Sequence, residues 1–306
     1  MEEEVAGRAM IELVASILKS QVAAMGARAL GAPGMEFDAF GRRIGARLAT
    51  RSPLAAVRLM VNPVSIVRYF EFPFAAECLK GRPLRRCLDA SSPFLFSICL
   101  AARGEAGEIE MANPDPSDLA FTSRIVSELA LRRITTTRAT IAELDPARRY
   151  DAVWSISVVE HIPEPDGDTA AVRKLASLLA PGGRLVITVP VDRAHRIERR
   201  REDTYSLGVE ADAGGDRFFQ RVYDRESIRR RLIDAVGRKP SAIRWFGEKV
   251  PGTYAAYEEA WRRNGLRETA LDAWRIARDY REFPSWERMP GMGVCGLMFE
   301  KTDGTS

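Results

Sequence analysis

From Arg85 onward, short apolar runs alternate with stretches of helical spacing, and this alternation constrains the fold more than any other feature of the sequence. Strands are predicted over 86–89, 107–113, 136–140, 150–156, 184–189, 242–246 and 293–301. Helices are predicted between most of them, and strands that are separated by helices of this length pair in parallel. We therefore predict an α/β fold, a doubly wound and mostly parallel sheet with helices on both faces.

The segments outside this pattern are predicted to be helical additions. Residues 5–30 carry apolar side chains at helical spacing, and residues 37–80 are mostly helical between prolines that break the segment. A Tyr- and Trp-rich stretch precedes the last strand. We predict four parts: an N-terminal helical extension over 1–80, a core over 81–250, a helical insertion or lid over 251–290, and the last strand and tail over 291–306.

The amino-acid composition limits the binding partners and the cellular compartment that can be expected for this chain. The net charge of +4 is small, and basic residues are not interleaved with aromatic ones, so no nucleic acid is expected. The acidic start, Glu2 to Glu4, is unlike a signal peptide, and no apolar run is long enough to span a bilayer. The chain is therefore predicted to be cytoplasmic. The sequence does not predict an oligomeric state.

Metal chemistry has few candidate ligands. Four cysteines lie far apart in the sequence without a CxxC pair, and the chain has two histidines, His161 and His195. The cysteines are predicted to be buried apolar groups in a reducing compartment, and no metal site is predicted.

Ligands of doubly wound sheets bind at the carboxyl ends of the strands. The segments that follow the first four predicted strands are therefore the candidate site. They are the turn 89–93 (DASSP), the turn 113–115 (NPD), the segment near 137–143 and the segment 155–161.

Two segments of the chain carry a family resemblance. Residues 150–162 (YDAVWSISVVEHI) and 179–190 (LAPGGRLVITVP) resemble, in order and separation, the S-adenosylmethionine-dependent methyltransferases with a Rossmann-like fold. The flanks 68–73 (RYFEFP) and 245–248 (WFGE) are similar to a bacterial branch of that family. The resemblance implies S-adenosylmethionine as cofactor and methyl transfer to oxygen or nitrogen of a small molecule or glycan.

The resemblance also implies which residues bind the cofactor, and here the sequence departs from the family. The implied cofactor-binding residues are Asp89, Ala90, Ser91, Ser92, Asn113, Ser155, Ile156 and Ser157. The first turn lacks the family's glycines, and Asn113 stands where the family has an acid for the ribose hydroxyls. Asp89 is expected either to orient the cofactor or to cap its own turn. Asp115 is expected either to take the place of the acid that binds the ribose or to be part of a turn with Asn113 and Pro114. Glu143 is the nearest acid to the expected position of the adenine.

Two further features bear on the substrate. His161, after the fourth strand, is a candidate general base, and the alternative is a residue of the pocket wall. Residues 193–201 are rich in arginine, and the segment is either a loop that receives an anionic substrate group or a solvated charged helix. The rival to an active enzyme is a binding or scaffold protein that retains the fold with a degraded cofactor site.

Overall fold

The computed structural model describes residues 2–203 and 208–302, with side chains described from residue 12 onward in those ranges. The helices are α1 Glu2–Ala29, α2 Met35–Leu48, α3 Pro53–Val61, α4 Arg68–Leu79, α5 Leu95–Ala102, α6 Pro116–Glu128, α7 Gly167–Ser177, α8 Arg225–Ser227, α9 Asp234–Val236, α10 Thr253–Asn264, α11 Leu266–Thr269 and α12 Asp272–Asp279. A π-helical turn, Ile228–Ile233, joins α8 to α9. Short 3-10 turns follow β3 at Ile141–Glu143 and β4 at Val159–His161.

The strands are β1 Arg86–Ala90, β2 Glu108–Ala112, β3 Ile134–Thr137, β4 Tyr150–Ile156, β5 Leu179–Val191, β6 Arg196–Arg200, β7 Arg217–Val222, β8 Ala242–Glu248, β9 Tyr280–Phe283 and β10 Gly293–Glu300. Eight of them form one sheet in the order β3-β2-β1-β4-β5-β10-β8-β9, and β6 pairs with β7 in a second sheet. The first five strands of that order are parallel, and β10 is antiparallel to β5. The predicted Rossmann-like, mostly parallel sheet and the N-terminal helical region are confirmed.

The chain forms two compact units. Residues 74–245 and 283–306 form the unit that contains most of the sheet, and residues 1–73 and 246–282 form the other. The four-part domain division and the lid role of residues 251–290 stay predictions.

The core of the sheet unit is formed by strands that are buried on both faces. In β4 all residues except Asp151 are buried, and Trp154 is fully enclosed. The ring of Trp154 packs edge-on against Phe96 at 5.6 Å, and its Nε1–H donates to Ser97 Oγ at 3.1 Å. A buried indole whose N–H is hydrogen-bonded adds buried apolar surface to the core without leaving a donor unpaired.

In the smaller unit, α1 packs through small residues. Its buried face consists of Ser20, Ala23, Ala24 and Ala27, and a Cβ at Gly26 would come within 2.9 Å of the Trp274 ring. The larger apolar residues of the helical pattern, Val14, Leu18, Val22 and Met25, are 48–72% exposed. Helical spacing identified the helix, but small side chains that permit close approach determine its packing face.

A buried ion pair fastens three helices of this unit. Arg42 on α2 donates to Asp38 at 2.7 Å, to Ser20 Oγ of α1 at 2.9 Å and to the Met60 carbonyl of α3 at 2.6 Å. The Tyr69 hydroxyl donates to Asp38 at 2.7 Å. Asp38 is 1% exposed, so these partners are what make its burial tolerable.

Three local predictions from the sequence were wrong. Pro73 lies inside α4 and does not end it. β5 begins at Leu179 and not at the predicted Arg184, although its pairing with β4 is irregular between Leu179 and Arg184. The arginine-rich segment 193–201 is neither a loop nor a helix, because most of it forms strand β6, paired antiparallel with β7.

No described helix has the combination of length and apolar composition needed to cross a bilayer. Among the described residues, no cluster of three or more histidine, cysteine, aspartate or glutamate side chains is placed to bind a metal ion.

Candidate functional site

The carboxyl ends of β1, β2, β4 and β5 meet at one edge of the sheet, because these strands are parallel and adjacent. The predicted cofactor residues lie at this edge: Ala90 to Ser92 after β1, Asn113 after β2, and Ser155 to Ser157 at the end of β4. His161 follows in the 3-10 turn after β4. The predicted site is therefore brought together by the topology.

Asp89 is fully buried at the end of β1 and caps the turn that follows it. One carboxylate oxygen accepts from the Ser92 N–H at 2.8 Å, and the other accepts from the Ser97 hydroxyl. Burial raises the pKa of Asp89 to about 6, against the lowering effect of these hydrogen bonds. The contacts are those of a turn cap, and a cofactor role for Asp89 stays a prediction.

The raised pKa of Asp89 gives stability a measurable pH dependence. The protonated form is favoured in the folded state, so its contribution is fully present below about pH 3.8 and is lost as pH rises through about 6. Asp89→Asn keeps the shape but cannot ionise. From pH 4 to pH 7 we expect wild type to lose about 2 kcal/mol relative to this variant in urea unfolding. Parallel stability curves for the two proteins would refute the assignment.

Ser91 has a backbone conformation that favours glycine. Its φ is 61°, in the left-handed region, and both its N–H and its hydroxyl donate to the Ala112 carbonyl, at 2.8 and 3.0 Å. The turn after β1 thus adopts a glycine-like path without glycine and is anchored to the end of β2. A non-glycine residue held there costs about 1–3 kcal/mol, and such strain concentrates at functional sites.

A second strained serine lies at the end of the neighbouring strand β4. Ser157 has φ 48°, and its N–H donates to the Thr188 carbonyl of β5 at 3.0 Å. Ser92 Oγ accepts from the Ile156 N–H of β4 at 3.0 Å. Hydrogen bonds from serine side chains and backbone groups therefore join the carboxyl ends of four adjacent strands, β2, β1, β4 and β5.

Asn113 and Asp118 form a hydrogen-bonded pair where the family's ribose acid was expected. Asn113 Oδ1 accepts from the Asp115 N–H at 2.9 Å, and Asn113 Nδ2 donates to Asp118 Oδ2 at 2.7 Å. Asp115 caps α6 by accepting from the N–H groups of Ser117 and Asp118. Asp115 is thus engaged at the helix terminus, and the carboxylate beside Asn113 belongs to Asp118, a residue that no motif in the sequence marks.

Glu143 is likewise engaged locally. Its carboxylate accepts from the N–H and hydroxyl of Thr140, at 2.8 and 2.9 Å, and closes a capping box around the 3-10 turn after β3. These hydrogen bonds hold the pKa of Glu143 below its usual range. Its candidacy as an adenine-side acid stays a prediction.

The side chains at this edge of the sheet fit S-adenosylmethionine. The side chains of the β1 turn are small, the Asn113–Asp118 pair offers an amide and a carboxylate for hydroxyl groups, and Ser155 presents a fully buried Oγ. That hydroxyl has no hydrogen-bond partner within the described part of the chain, so a ligand or water would satisfy it.

His161 is oriented by the hairpin β6–β7. Its Nδ1 lies 2.8 Å from the Phe219 carbonyl of β7, and its ring lies 5.1 Å from the Phe219 ring at 60°. A carbonyl only accepts, so Nδ1 carries the proton and, in the neutral ring, Nε2 is the acceptor. Nε2 lies 3.9 Å from Glu160 Oε1. This tautomer is the one a general base at Nε2 requires.

The tautomer is directly measurable because the chain has two histidines. In a His195→Gln background, His161 is the one remaining imidazole. We expect its ¹⁵N spectrum at pH 8 to show a pyrrole-type Nδ1 and a pyridine-type Nε2. The reverse assignment would rule out the Phe219 hydrogen bond.

Arg221 clamps the segment that follows His161. It is 3% exposed, and its guanidinium donates to the backbone carbonyls of Ile162, Glu164 and Pro165. Its Nε lies 3.9 Å from Asp168 Oδ2. This role could not be predicted from the sequence, because a single arginine in a strand belongs to no motif.

Asp168 is the centre of that buried network. Its carboxylate accepts from Arg231 Nε at 2.8 Å and Nη2 at 2.6 Å, and from the Tyr223 hydroxyl at 2.8 Å. Burial alone would raise the pKa of Asp168, but the hydrogen bonds from Arg231 and Tyr223 and the charge of Arg221 lower it below its usual range. The network joins α7, the hairpin and the π-helical turn.

Comparison with known proteins agrees with this architecture. Residues 94–237 match the sequence model of a methyltransferase domain. A ubiquinone biosynthesis O-methyltransferase of Alkalilimnicola ehrlichii is 30% identical over 134 residues, which is 42% of this chain and 50% of the relative. The chain therefore spans about half the length of this curated relative.

Solved structures with a similar arrangement include two methyltransferases. A coclaurine N-methyltransferase bound to N-methylheliamine and S-adenosylhomocysteine is 11% identical, with a TM-score of 0.48 over 75% of this chain and 69% of that one. A geranyl diphosphate C-methyltransferase from Streptomyces coelicolor is 14% identical, with a TM-score of 0.45 over 76% and 78%. At such identities and scores a structural likeness says nothing about activity.

The sheet order, the matched domain and the curated relative agree with the resemblance found in the sequence. The methyl donor that this kind of domain implies is S-adenosylmethionine. Residues 94–237 therefore match a methyltransferase domain, and the comparisons support an S-adenosylmethionine-dependent methyltransferase family with a Rossmann-like fold.

Proposed function

We propose that the chain is an active methyltransferase that transfers a methyl group from S-adenosylmethionine to oxygen or nitrogen of a small molecule or glycan. The observation that carries the proposal is the turn after β1, where Ser91 takes a left-handed, glycine-like conformation at φ 61°. Strain at this position is unnecessary for a scaffold and is expected where a backbone must approach a ligand. The curated O-methyltransferase relative favours oxygen as the acceptor atom.

S-adenosylmethionine, when bound, supplies an electrophilic methyl group on a sulfonium. In the proposal, the turn 90–92 lies against it, the Asn113–Asp118 pair binds hydroxyl groups, and the Ser155 hydroxyl gains a partner. His161 Nε2 accepts the proton of the acceptor hydroxyl, with the ring held by the Phe219 carbonyl. Positioning supplies most of the rate enhancement in such a reaction, so few groups need to transfer protons.

The test is methyl transfer from labelled S-adenosylmethionine to a panel of phenols, sugars and amines. We expect turnover with at least one acceptor and a loss of roughly 100-fold in His161→Gln. The matched control is His195→Gln, because His195 is the other histidine and lies exposed in the sheet unit. Equal activity in the two variants would remove His161 from the proposal, and no transfer to any acceptor would count against the activity itself.

A second candidate function is ligand binding without methyl transfer. It is favoured by Asp89, whose two carboxylate oxygens already accept from Ser92 and from Ser97 of α5, and by Asn113, which lacks the charge of the family's ribose acid. A thermal shift with S-adenosylmethionine together with no turnover across the panel would select this candidate, since a ligand that binds only the folded state must stabilise it.

A further inference from the structure

The segment that follows His161 has few backbone donors of its own. Residues 162–165 are Ile-Pro-Glu-Pro, and proline has no N–H, so two of the four residues cannot donate a backbone hydrogen bond. The Ile162 N–H donates to the Val159 carbonyl at 3.4 Å, which is long for such a bond. The segment lies between the 3-10 turn and α7 and belongs to neither a helix nor a strand. Its course therefore depends on donors from elsewhere in the chain.

The guanidinium of Arg221, on strand β7, supplies those donors. Its Nη1 donates to the Ile162 carbonyl at 2.5 Å, and its Nη2 donates to the carbonyls of Glu164 at 2.5 Å and Pro165 at 3.4 Å. The guanidinium carbon lies 4.8 Å from the centroid of the Phe218 ring, which packs against it. A planar guanidinium holds several donors at fixed angles, whereas the ammonium of a lysine is a single point.

A second arginine holds only the far end of the same segment. Arg231 donates to the Pro165 carbonyl and to Asp168, and Asp168 Oδ2 lies 3.9 Å from Nε of Arg221. The Ile162 carbonyl, by contrast, is one peptide unit from His161 and accepts from Arg221. Arg221 is therefore the arginine that acts next to the candidate base.

Strand β7 also holds the ring of the candidate base. Phe219, two residues before Arg221, has the carbonyl that lies 2.8 Å from His161 Nδ1. His161 Nε2 lies 3.9 Å from Glu160 Oε1, which is too far for a hydrogen bond, so the Phe219 carbonyl is the group that selects the tautomer. That selection requires the backbone of His161 to stay at a fixed distance from β7.

We propose that Arg221 is a positioning residue for His161. By holding the Ile162 carbonyl to β7, it keeps the imidazole at the Phe219 carbonyl and the proton on Nδ1, so that Nε2 is the acceptor in the neutral ring. Arg221 is buried and acts through the backbone of residues 162–165. This inference rests on the proposed function, because that function makes His161 the general base.

The test follows the tautomer of His161 in the full chain, without cofactor or acceptor. All proteins carry His195→Gln, so that one imidazole remains. Arg221→Lys keeps a positive charge beside Asp168 but cannot hold both the Ile162 and the Glu164 carbonyl. In ¹⁵N spectra at pH 8 we expect the ratio of the Nδ1–H to the Nε2–H tautomer to fall at least about 5-fold, the factor that the loss of one hydrogen bond gives.

Tyr223→Phe is the matched control. It removes the hydroxyl that donates to Asp168 at 2.8 Å, so it weakens the same buried network, but the partner of that hydroxyl is not a carbonyl of residues 162–165. We expect its tautomer ratio to match that of the parent. If Arg221→Lys does not unfold cooperatively in urea, Arg221→Gln, which keeps a planar amide donor, is measured against the same expectation. An unchanged ratio in the arginine variant, or an equal fall in the control, would overturn the proposal.

Methyl transfer by the same proteins separates this inference from the proposed function. In an active parent, Arg221→Lys should lower kcat at least about 10-fold and leave the Kd of S-adenosylhomocysteine within about 3-fold. Equal kcat values would overturn the positioning role. A fall in the tautomer ratio in a parent that transfers no methyl group would support the role of Arg221 at His161 and count against the proposed activity.

Discussion

Asp168→Ala is expected to lower the free energy of unfolding by about 3–5 kcal/mol, among the largest effects of any single substitution in the sheet unit. The carboxylate is fully buried, and its removal leaves Arg231 and Tyr223 without their acceptor. It also removes the opposite charge that lies 3.9 Å from the 3%-exposed Arg221. An uncompensated buried cation costs more than the ion pair itself contributes. Urea unfolding at pH 7 measures the change.

The control is two residues away. Asp166 has an 85% exposed side chain and lies 3.6 Å from the same Arg231, so Asp166→Ala should change stability by no more than about 0.5 kcal/mol. The two variants remove the same functional group from neighbouring positions. If they lose the same stability, the buried network is not what holds this part of the chain together.

Stability should also depend on pH through Asp168. Its folded-state pKa lies below the ordinary value of 3.8, so its contribution is present above that pH and is lost as pH falls through the folded-state pKa. Asp168→Ala should therefore differ most from wild type near neutral pH and converge with it in strong acid. A difference that stays constant down to pH 2 would contradict the assigned network.

Two substitutions of Ser91 are expected to separate the effect of the strained turn on stability from its effect on ligand binding. Ser91→Val places a β-branched side chain at φ 61° in the turn that we propose lies against the cofactor, and should weaken S-adenosylhomocysteine binding at least about 100-fold. Ser91→Gly relieves the backbone and should raise the free energy of unfolding by about 1 kcal/mol while binding stays within about 3-fold. Calorimetric titration and urea unfolding of both variants give the two quantities.

Ala130 supplies the matched control for this pair. It has φ 53°, so it is another non-glycine residue in the left-handed region, but it lies between α6 and the start of β3 and not at a carboxyl end of a strand. Ala130→Val should destabilise the protein through the same backbone strain and leave ligand binding unchanged. A loss of binding in Ala130→Val equal to that in Ser91→Val would show that general destabilisation, not the turn, controls affinity.

Periodicity and strand spacing were sufficient to predict the sheet, because the parallel strands are buried on both faces and appear in the sequence as continuous apolar runs. The candidate site residues at the strand ends followed from the same pattern. The hairpin β6–β7 did not, since a charged, half-exposed strand such as residues 196–200 has no apolar alternation to distinguish it from a loop or a charged helix.

Side-chain partners were harder to predict than elements. Asp118 accepts from Asn113, five residues earlier, and Arg221 donates to the carbonyl of Ile162, 59 residues earlier. No local motif marks either of them. The lack of glycine after β1 indicated a degraded cofactor turn, whereas the structure shows a serine in the glycine conformation. Sequence alone cannot give that dihedral angle, because surrounding contacts impose it.

The most direct test of the central claim is calorimetric titration of the full chain with S-adenosylmethionine and S-adenosylhomocysteine. The turn at Ser91, the Asn113–Asp118 pair and the Ser155 hydroxyl lead us to expect binding of both in the micromolar range, with one ligand per chain. Absence of binding for both up to millimolar concentrations would contradict it, and the fold would then serve a different ligand.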